Sequence, residues 1–305
     1  MIRAMLSGHY REDRRYPAAM VNITNHCNLS CKHCFIYRDG NPNEAPESIR
    51  AEMSDVDMLE TLEGLRDRHG IKTMLWMGGE PLLKKKLLAK GVRLFARNTI
   101  TTNGTAPLPD FGASVHYVVS MDGPEDLNDD LRGEGTFQRV LRNLSNVAPD
   151  FGSTVQVQCV VTRRNQERLD ELVDTLRASP VGWMTFSFYV PMKDDETGNT
   201  WETNVERASA VREVLRLKQA HGGFVRNGRR SLELMLPPDC ERVTARCPTQ
   251  EWLLPLWLED DHFTTPFCCY GNDVDCNRCG AWVVFEFAAR LEGGAPVVPD
   301  RANQA

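Results

Sequence analysis

Residues 17–37 read PAAMVNITNHCNLSCKHCFIY: a short apolar run, then Cys27, Cys31 and Cys34 inside eight positions. The run reads as a strand near residues 18–24, and the cysteines as the loop that leaves its carboxyl end. A closed structural zinc site takes four protein ligands. An iron–sulfur cube held by three thiolates leaves one iron open to a substrate or cofactor. Three thiols at a strand end therefore point to an open metal centre, with zinc or a redox pair as the plainer alternatives.

Outward from this stretch, short β-branched runs alternate with longer segments of helical period, the pattern of βαβ units around a parallel sheet. A helix is expected from Ser54, an N-cap with Asp57 three residues on, with Met58, Leu62 and Leu65 as its stripe and Gly70 as its stop. IKTMLWM (71–77) predicts a strand and LLKKKLLAKGVRLFAR (82–97) a helix. NTITT (98–102), SVHYVVS (114–120), TVQVQCVVT (154–162) and WMTFSFYV (183–190) supply the other strands. Helices near 136–147, 165–178 and 203–220 separate the last of them, with Asn165 and Thr203 as N-caps and Glu206 in capping-box position. Six such units form an α/β fold, either an open doubly wound sheet or a partial barrel, and in both the ligands gather at the carboxyl ends of the strands.

The chain of 305 residues is long enough for one large domain with an appendage, and its 41% hydrophobic and 26% charged content is ordinary for a globular protein. A formal charge of −6 argues against a nucleic-acid partner and suits a neutral or cationic ligand. MIRAMLSGHYREDRRYP (1–17) lacks the apolar core of a signal peptide, and no later stretch is apolar enough for a membrane span, so a cytoplasmic, membrane-free protein is expected. In that compartment ten cysteines suggest metal ligation or redox chemistry rather than disulfides.

WMGGEPLL (76–83) follows the second strand. Gly78 and Gly79 allow close backbone approach to a ligand, Glu80 places an acceptor beside it, and Pro81 suits helix position N1; a tight strand-to-helix turn would read the same way. CxxxCxxC after the first strand and GGEP after the second, in this order, resemble the radical S-adenosylmethionine (SAM) superfamily over roughly residues 17–220. The resemblance implies a partial (β/α)6 TIM-like barrel and a [4Fe–4S] cluster on Cys27, Cys31 and Cys34. It implies SAM chelated at the open iron and cleaved to a 5′-deoxyadenosyl radical, and an external electron donor such as flavodoxin or ferredoxin. It further implies that Gly78, Gly79, Glu80 and Pro81 bind the amino end of SAM. TTNGT (101–105) and VVSMDGPEDLND (118–129) resemble the next two strand ends, where Asn103 and Ser120 would face SAM. Arg132 and Arg163 are further SAM-site candidates, and equally read as solvated arginines. Where many members carry an aromatic residue before the third cysteine, this chain has His33, a flat ring able to lie against adenine.

Cys159 lies in an alternating strand and reads as a small core residue. After about residue 221 the βα rhythm stops, and WLLPLWLEDDHFTTPFCC (252–269) suggests a hairpin turning at Glu259 to His262. Cys240, Cys247, Cys268, Cys269, Cys276 and Cys279 crowd this region, and CCYGNDVDCNRCG (268–280) contains a CxxC with two thiols before it. Spacing alone fits a four-cysteine zinc knuckle or a second cube. The segment resembles the SPASM and twitch modules that hold auxiliary [4Fe–4S] clusters in the same superfamily. That resemblance implies a small iron–sulfur module over 221–292 after the barrel at 17–220, with a loose tail at 293–305. Its ligands are either Cys268, Cys269, Cys276 and Cys279, or Cys247 with one of the adjacent pair.

If Cys247 is free, its weak S–H bond can return a hydrogen atom to a carbon radical from the face opposite abstraction. This resembles the radical SAM epimerases of carbohydrate antibiotics, which implies a small-molecule substrate. Acidic loops KDDE (193–196) and EDD (259–261) suit a polycationic amino sugar, although solvated acidic turns look no different. The alternatives within the same chemistry are a maturase that modifies a ribosomal peptide and another tailoring enzyme with an auxiliary cluster.

Overall fold

The computed structural model describes residues 11–37 and 52–294. The tail expected at 293–305 lies, past Gly294, outside the described residues, as does most of the N-terminal stretch read for a signal peptide. In chain order the elements are β1 (Ala18–Asn22), α1 (Asp55–His69), β2 (Thr73–Met77), a 3-10 turn (Pro81–Lys84), α2 (Lys85–Gly91), β3 (Arg97–Thr102), β4 (Val115–Ser120), α3 (Glu125–Arg132), α4 (Thr136–Ser145), β5 (Thr154–Val161), α5 (Leu169–Arg177), β6 (Met184–Phe188), α6 (Asn204–Ala220), α7 (Arg229–Glu233), α8 (Asp239–Thr244), α9 (Thr249–Trp252), β7 (Leu253–Glu259), β8 (His262–Thr264), a second 3-10 turn (Cys276–Arg278) and α10 (Trp282–Glu292). The described residues form two compact units, one of 11–37, 52–119, 132–155 and 252–272, the other of 120–131, 156–251 and 273–294.

The first unit is built on strands in the order β4-β3-β2-β1-β7-β8. All five residues of β1 are buried, as the continuous apolar run requires of a central strand covered on both faces. β1 pairs in parallel with β2 on one side and with β7 on the other, and β2–β3 and β3–β4 are parallel too. Their carboxyl ends therefore share one edge. Only β8 runs antiparallel, through the hairpin expected at Glu259–His262, where Asp260 takes a positive φ of 52°. The segment read as one appended module is thus spread over both units, since β7 and β8 extend the first sheet while residues 221–251 and 273–294 belong to the second unit.

Helix α1 forms as its sequence dictates. The Ser54 hydroxyl accepts from the Asp57 N–H at 3.2 Å and donates to the Asp57 carboxylate at 2.7 Å. Gly70 ends the helix at φ 70°, donating to the Arg66 carbonyl, and Met58, Leu62 and Leu65 are buried.

In the second unit β5 and β6 pair in parallel, and all five residues of β6 are buried. Cys159 on β5 is fully buried, the small core residue its alternating strand implies. The chain is an α/β fold with mostly parallel strand pairing. Three expectations change. Asn165 does not cap α5, which begins at Leu169. Its amide instead accepts from the Thr162 N–H at 2.7 Å and donates to the carbonyls of Asp122 and Val160 at 2.7 and 2.9 Å, tying the end of β5 to the loop after β4. The single long helix expected over 82–97 is a 3-10 turn followed by the short α2. The polar stretch EDLNDDLR, not read as a helix, forms α3 and buries only Asn128 and Leu131. Thr203 caps α6 as expected, its side chain accepting from the Glu206 N–H.

Candidate active site

The loop after β1 and the turn after β2 are stitched together through their backbones. The Gly79 N–H donates to the Thr24 carbonyl at 2.7 Å and the Glu80 N–H to the His26 carbonyl at 2.8 Å. A Cβ at Gly79 would overlap the His26 carbonyl and the Tyr37 hydroxyl, and one at Gly78 (φ 155°) would meet the Thr24 carbonyl oxygen at 2.7 Å. Both glycines thus let the thiol loop lie directly on the turn. Tyr37 donates from the same spot to the Asn25 carbonyl. Burial, followed by the nearby Cys27 and Cys34, pushes its phenol above the ordinary range.

Glu52 anchors the start of the loop. Its carboxylate accepts from the Thr24 hydroxyl at 2.8 and 3.0 Å and from the Asn25 N–H at 2.5 Å, and it pairs with Lys84 Nζ at 3.2 Å. Asn25 is also held by its side chain, which donates to the Leu258 carbonyl at 3.1 Å on β7. Sequence reasoning missed Glu52 and Lys84, because nothing local marks a contact that closes a loop of 28 residues.

Cys27, Cys31 and Cys34 are all half-buried. The Leu29 N–H donates to Cys27 Sγ at 3.4 Å, and the Cys34 N–H donates to the Cys31 carbonyl at 3.2 Å. The Cys27 thiol is pushed up to about 12, first by burial and then by the charges of Glu80, Cys31 and Cys34, against the opposing pull of the Leu29 N–H. Three thiolates here repel one another unless a cationic centre neutralises them. Soft sulfur donors on one short loop fit an iron–sulfur cluster, whose binding expels the protons. Among the described residues no three cysteine, histidine or carboxylate side chains stand close enough to hold a metal ion as placed.

Glu80 is 2% exposed. It accepts from the Leu82 N–H at 2.9 Å, the Thr102 hydroxyl at 2.8 Å and the Asn103 N–H at 2.8 Å. It thereby caps the turn that Pro81 begins and joins it to the end of β3. Burial raises its pKa above the usual carboxylate range, outweighing these donors and the charge of Arg132. The Asn103 side chain donates to Asn28 Oδ1 at 2.9 Å and lies 4.0 Å from Cys27 Sγ, while its Oδ1 accepts from Thr105. Cys27, Glu80, Asn103 and Arg132 thus belong to one locality. His33 is 8% exposed within the thiol loop. Ser120 ends β4 and Arg163 is exposed two residues beyond β5, both in the second unit.

The remaining thiols divide between the units. In the first, Cys268 and Cys269 lie with their sulfurs 4.0 Å apart, and Tyr270 beside them packs its ring 4.8 Å from that of Phe35 in the thiol loop. In the second, Cys276 opens and Cys279 follows a 3-10 turn capped by Asp275, whose side chain accepts from the Asn277 N–H at 3.0 Å. Cys247, half-buried, has its sulfur 3.0 Å from the Thr249 hydroxyl. Cys240 is fully buried.

The fold is shared with solved proteins that bind SAM. Native anSMEcpe with bound AdoMet superposes with a TM-score of 0.63 over 90% of this chain and 82% of that one, at 16% identity. Streptococcus suis SuiB bound to S-adenosylmethionine superposes at 0.60 over 80% of this chain and 58% of that one, at 15% identity. The profile of the Radical SAM superfamily matches residues 21–176, just over half of the sequence, and the chain belongs to that superfamily.

Curated relatives include the pre-heme d1 synthase of Dinoroseobacter shibae, 31% identical over 167 residues, 52% of this chain and 39% of that protein. The Fe-coproporphyrin III synthase of Methanosarcina barkeri is 29% identical over 189 residues, 58% and 45% of the two chains. Mycofactocin maturase MftC of Mycobacterium tuberculosis is 30% identical over 159 residues, 49% and 39%. The chain spans less than half the length of these relatives. Membership of the superfamily makes this an enzyme of [4Fe–4S] and SAM chemistry, and its cysteine-rich C-terminal segment is consistent with an auxiliary cluster. No helix among the described residues is long and apolar enough to cross a membrane.

Proposed function

We propose that this enzyme cleaves SAM reductively and directs the resulting radical at a C–H bond of a small, carbohydrate-type substrate, inverting the carbon. The observation that carries the first half is the thiol loop lying on the GGEP turn, bonded to it by the Gly79 and Glu80 N–H groups. When bound, the cluster and SAM supply one electron and a 5′-deoxyadenosyl radical. Within residues 17–220, Cys27, Cys31 and Cys34 hold the metal. Gly78, Gly79, Glu80, Pro81, Asn103, Ser120, Arg132, Arg163 and His33 form the SAM site.

Cys247 serves as hydrogen donor. Its sulfur is half-buried, keeps a hydroxyl partner at 3.0 Å, and stands on a loop rather than in the core. The Cys247 S–H bond breaks as the substrate C–H bond forms on the opposite face, and the sulfur then takes one electron and a solvent proton to restore the thiol. Cys268, Cys269, Cys276 and Cys279 in the segment 221–292 would hold the auxiliary [4Fe–4S] cluster, which would supply one-electron transfer, and a flavodoxin- or ferredoxin-type donor is the source of the electron. A net charge of −6 favours a polycationic amino sugar over an anionic substrate.

Turnover in heavy water tests the assignment, because the exchangeable thiol delivers deuterium to the inverted carbon. Unlabelled product, or full activity in Cys247→Ala, removes Cys247 from the role.

A second reading, modification of a ribosomal peptide, is favoured by the 30% identity to mycofactocin maturase MftC and by the fold shared with SuiB, solved bound to precursor peptide SuiA. It requires a short precursor peptide that binds the enzyme. The epimerase requires none.

A further inference from the structure

Arg207 on α6 is among the largest fully buried side chains, 2% exposed. Its Nη1 donates to the carbonyls of Arg278 at 2.8 Å and Cys279 at 2.7 Å. One turn earlier on the same helix, Asn204 Nδ2 donates to the Asn277 carbonyl at 2.9 Å. Helix α6 thus grips three consecutive carbonyls of the Cys276–Cys279 turn. Nε and Nη2 of Arg207 are buried and meet no oxygen or nitrogen acceptor, with the Cys240 thiol close by. Among the described residues no carboxylate lies within ion-pair distance of the guanidinium. Glu241, the acid whose charge reaches it, already accepts from the Cys240 thiol at 3.0 Å and from Asn204 at 2.8 Å. A buried cation is costly unless an anion faces it, and the other groups whose charge reaches Arg207 are the sulfurs of Cys279 and Cys240. Burial and Glu241 hold Cys240 as a neutral thiol, pushed up to about 12.

We infer that Arg207 is the positioning residue and counter-charge of a thiolate-bound metal centre at the Cys276–Cys279 turn: its carbonyl contacts shape the turn, and its positive charge balances the thiolates when metal is held there. This rests on the auxiliary cluster proposed above. A positive charge beside a cluster favours the reduced, more negative form, so removing it makes the cluster harder to reduce.

The test uses the full chain with Cys27, Cys31 and Cys34 replaced by Ala, so that only the second centre remains. About four irons per chain are expected after anaerobic reconstitution. Arg207→Gln is expected either to lose most of that iron or to lower the reduced-to-oxidised ratio at fixed potential at least tenfold, about 59 mV for one electron. Arg207→Lys is expected to recover most of the loss. If Gln and Lys variants behave alike, both unchanged or both equally stripped of iron, the charge role is overturned while the cluster reading stands. If the parent holds no iron, both are overturned together.

Discussion

The backbone N–H of Asn103 donates to Oε2 of Glu80 at 2.8 Å, so the carboxylate of one strand end fixes the backbone of the next. Oε1 takes Leu82 and Thr102 as further donors, and the motif glutamate is as much a structural clamp as a ligand-binding group. Glu80→Gln replaces one acceptor by an amide that faces a donor. A loss of about 1–3 kcal/mol in unfolding free energy is expected, read from the urea midpoint.

The same residue gives stability a pH dependence of known sign. The folded-state pKa of Glu80 is raised, mainly by burial, so the folded protein binds the proton more tightly than the unfolded chain. Its contribution is fully present below the usual glutamate range and is lost as pH rises from there through the raised value. The wild type should therefore gain stability relative to Glu80→Gln as pH falls through that window. A difference independent of pH would contradict the assignment.

Gly79→Ala forces a Cβ into the His26 carbonyl and the Tyr37 hydroxyl. Overpacking of this kind costs about 1–3 kcal/mol, and here it also lifts the thiol loop off the turn. Reduced melting temperature together with lower iron content is expected. Adding Tyr37→Phe should restore little, since the carbonyl clash remains.

Glu52→Gln keeps the shape but removes the charge that Lys84 pairs with and one acceptor of the Thr24–Asn25 corner. The cysteine loop should loosen, and iron should leave the N-terminal site faster in the presence of a chelator. Equal release rates in variant and wild type would show that the corner holds without the charge.

Much of the first unit is legible locally. Ser54, Asp57 and Gly70 carry the signals that start and stop α1, and the apolar run Ala18 to Val21 of β1 announces a strand buried on both faces. The three thiols and the GGEP turn fall at strand ends because parallel pairing puts those ends on one edge. The misread features are those fixed at long range. Asn165 is a good cap by type, yet its amide is consumed by Asp122 and Val160. The pairing of β7 beside β1 depends on which edge of the sheet stands free, which no local pattern encodes. The role of Arg207 depends on the packing of the Cys276–Cys279 turn against α6, which no local pattern encodes.

Reductive cleavage of SAM by the anaerobically reconstituted enzyme tests the central claim most directly. With a strong reductant the wild type should release 5′-deoxyadenosine, and the Cys27→Ala, Cys31→Ala and Cys34→Ala variants should release none. Absence of 5′-deoxyadenosine from iron-loaded wild type, or its undiminished release by any of the three variants, would contradict the account.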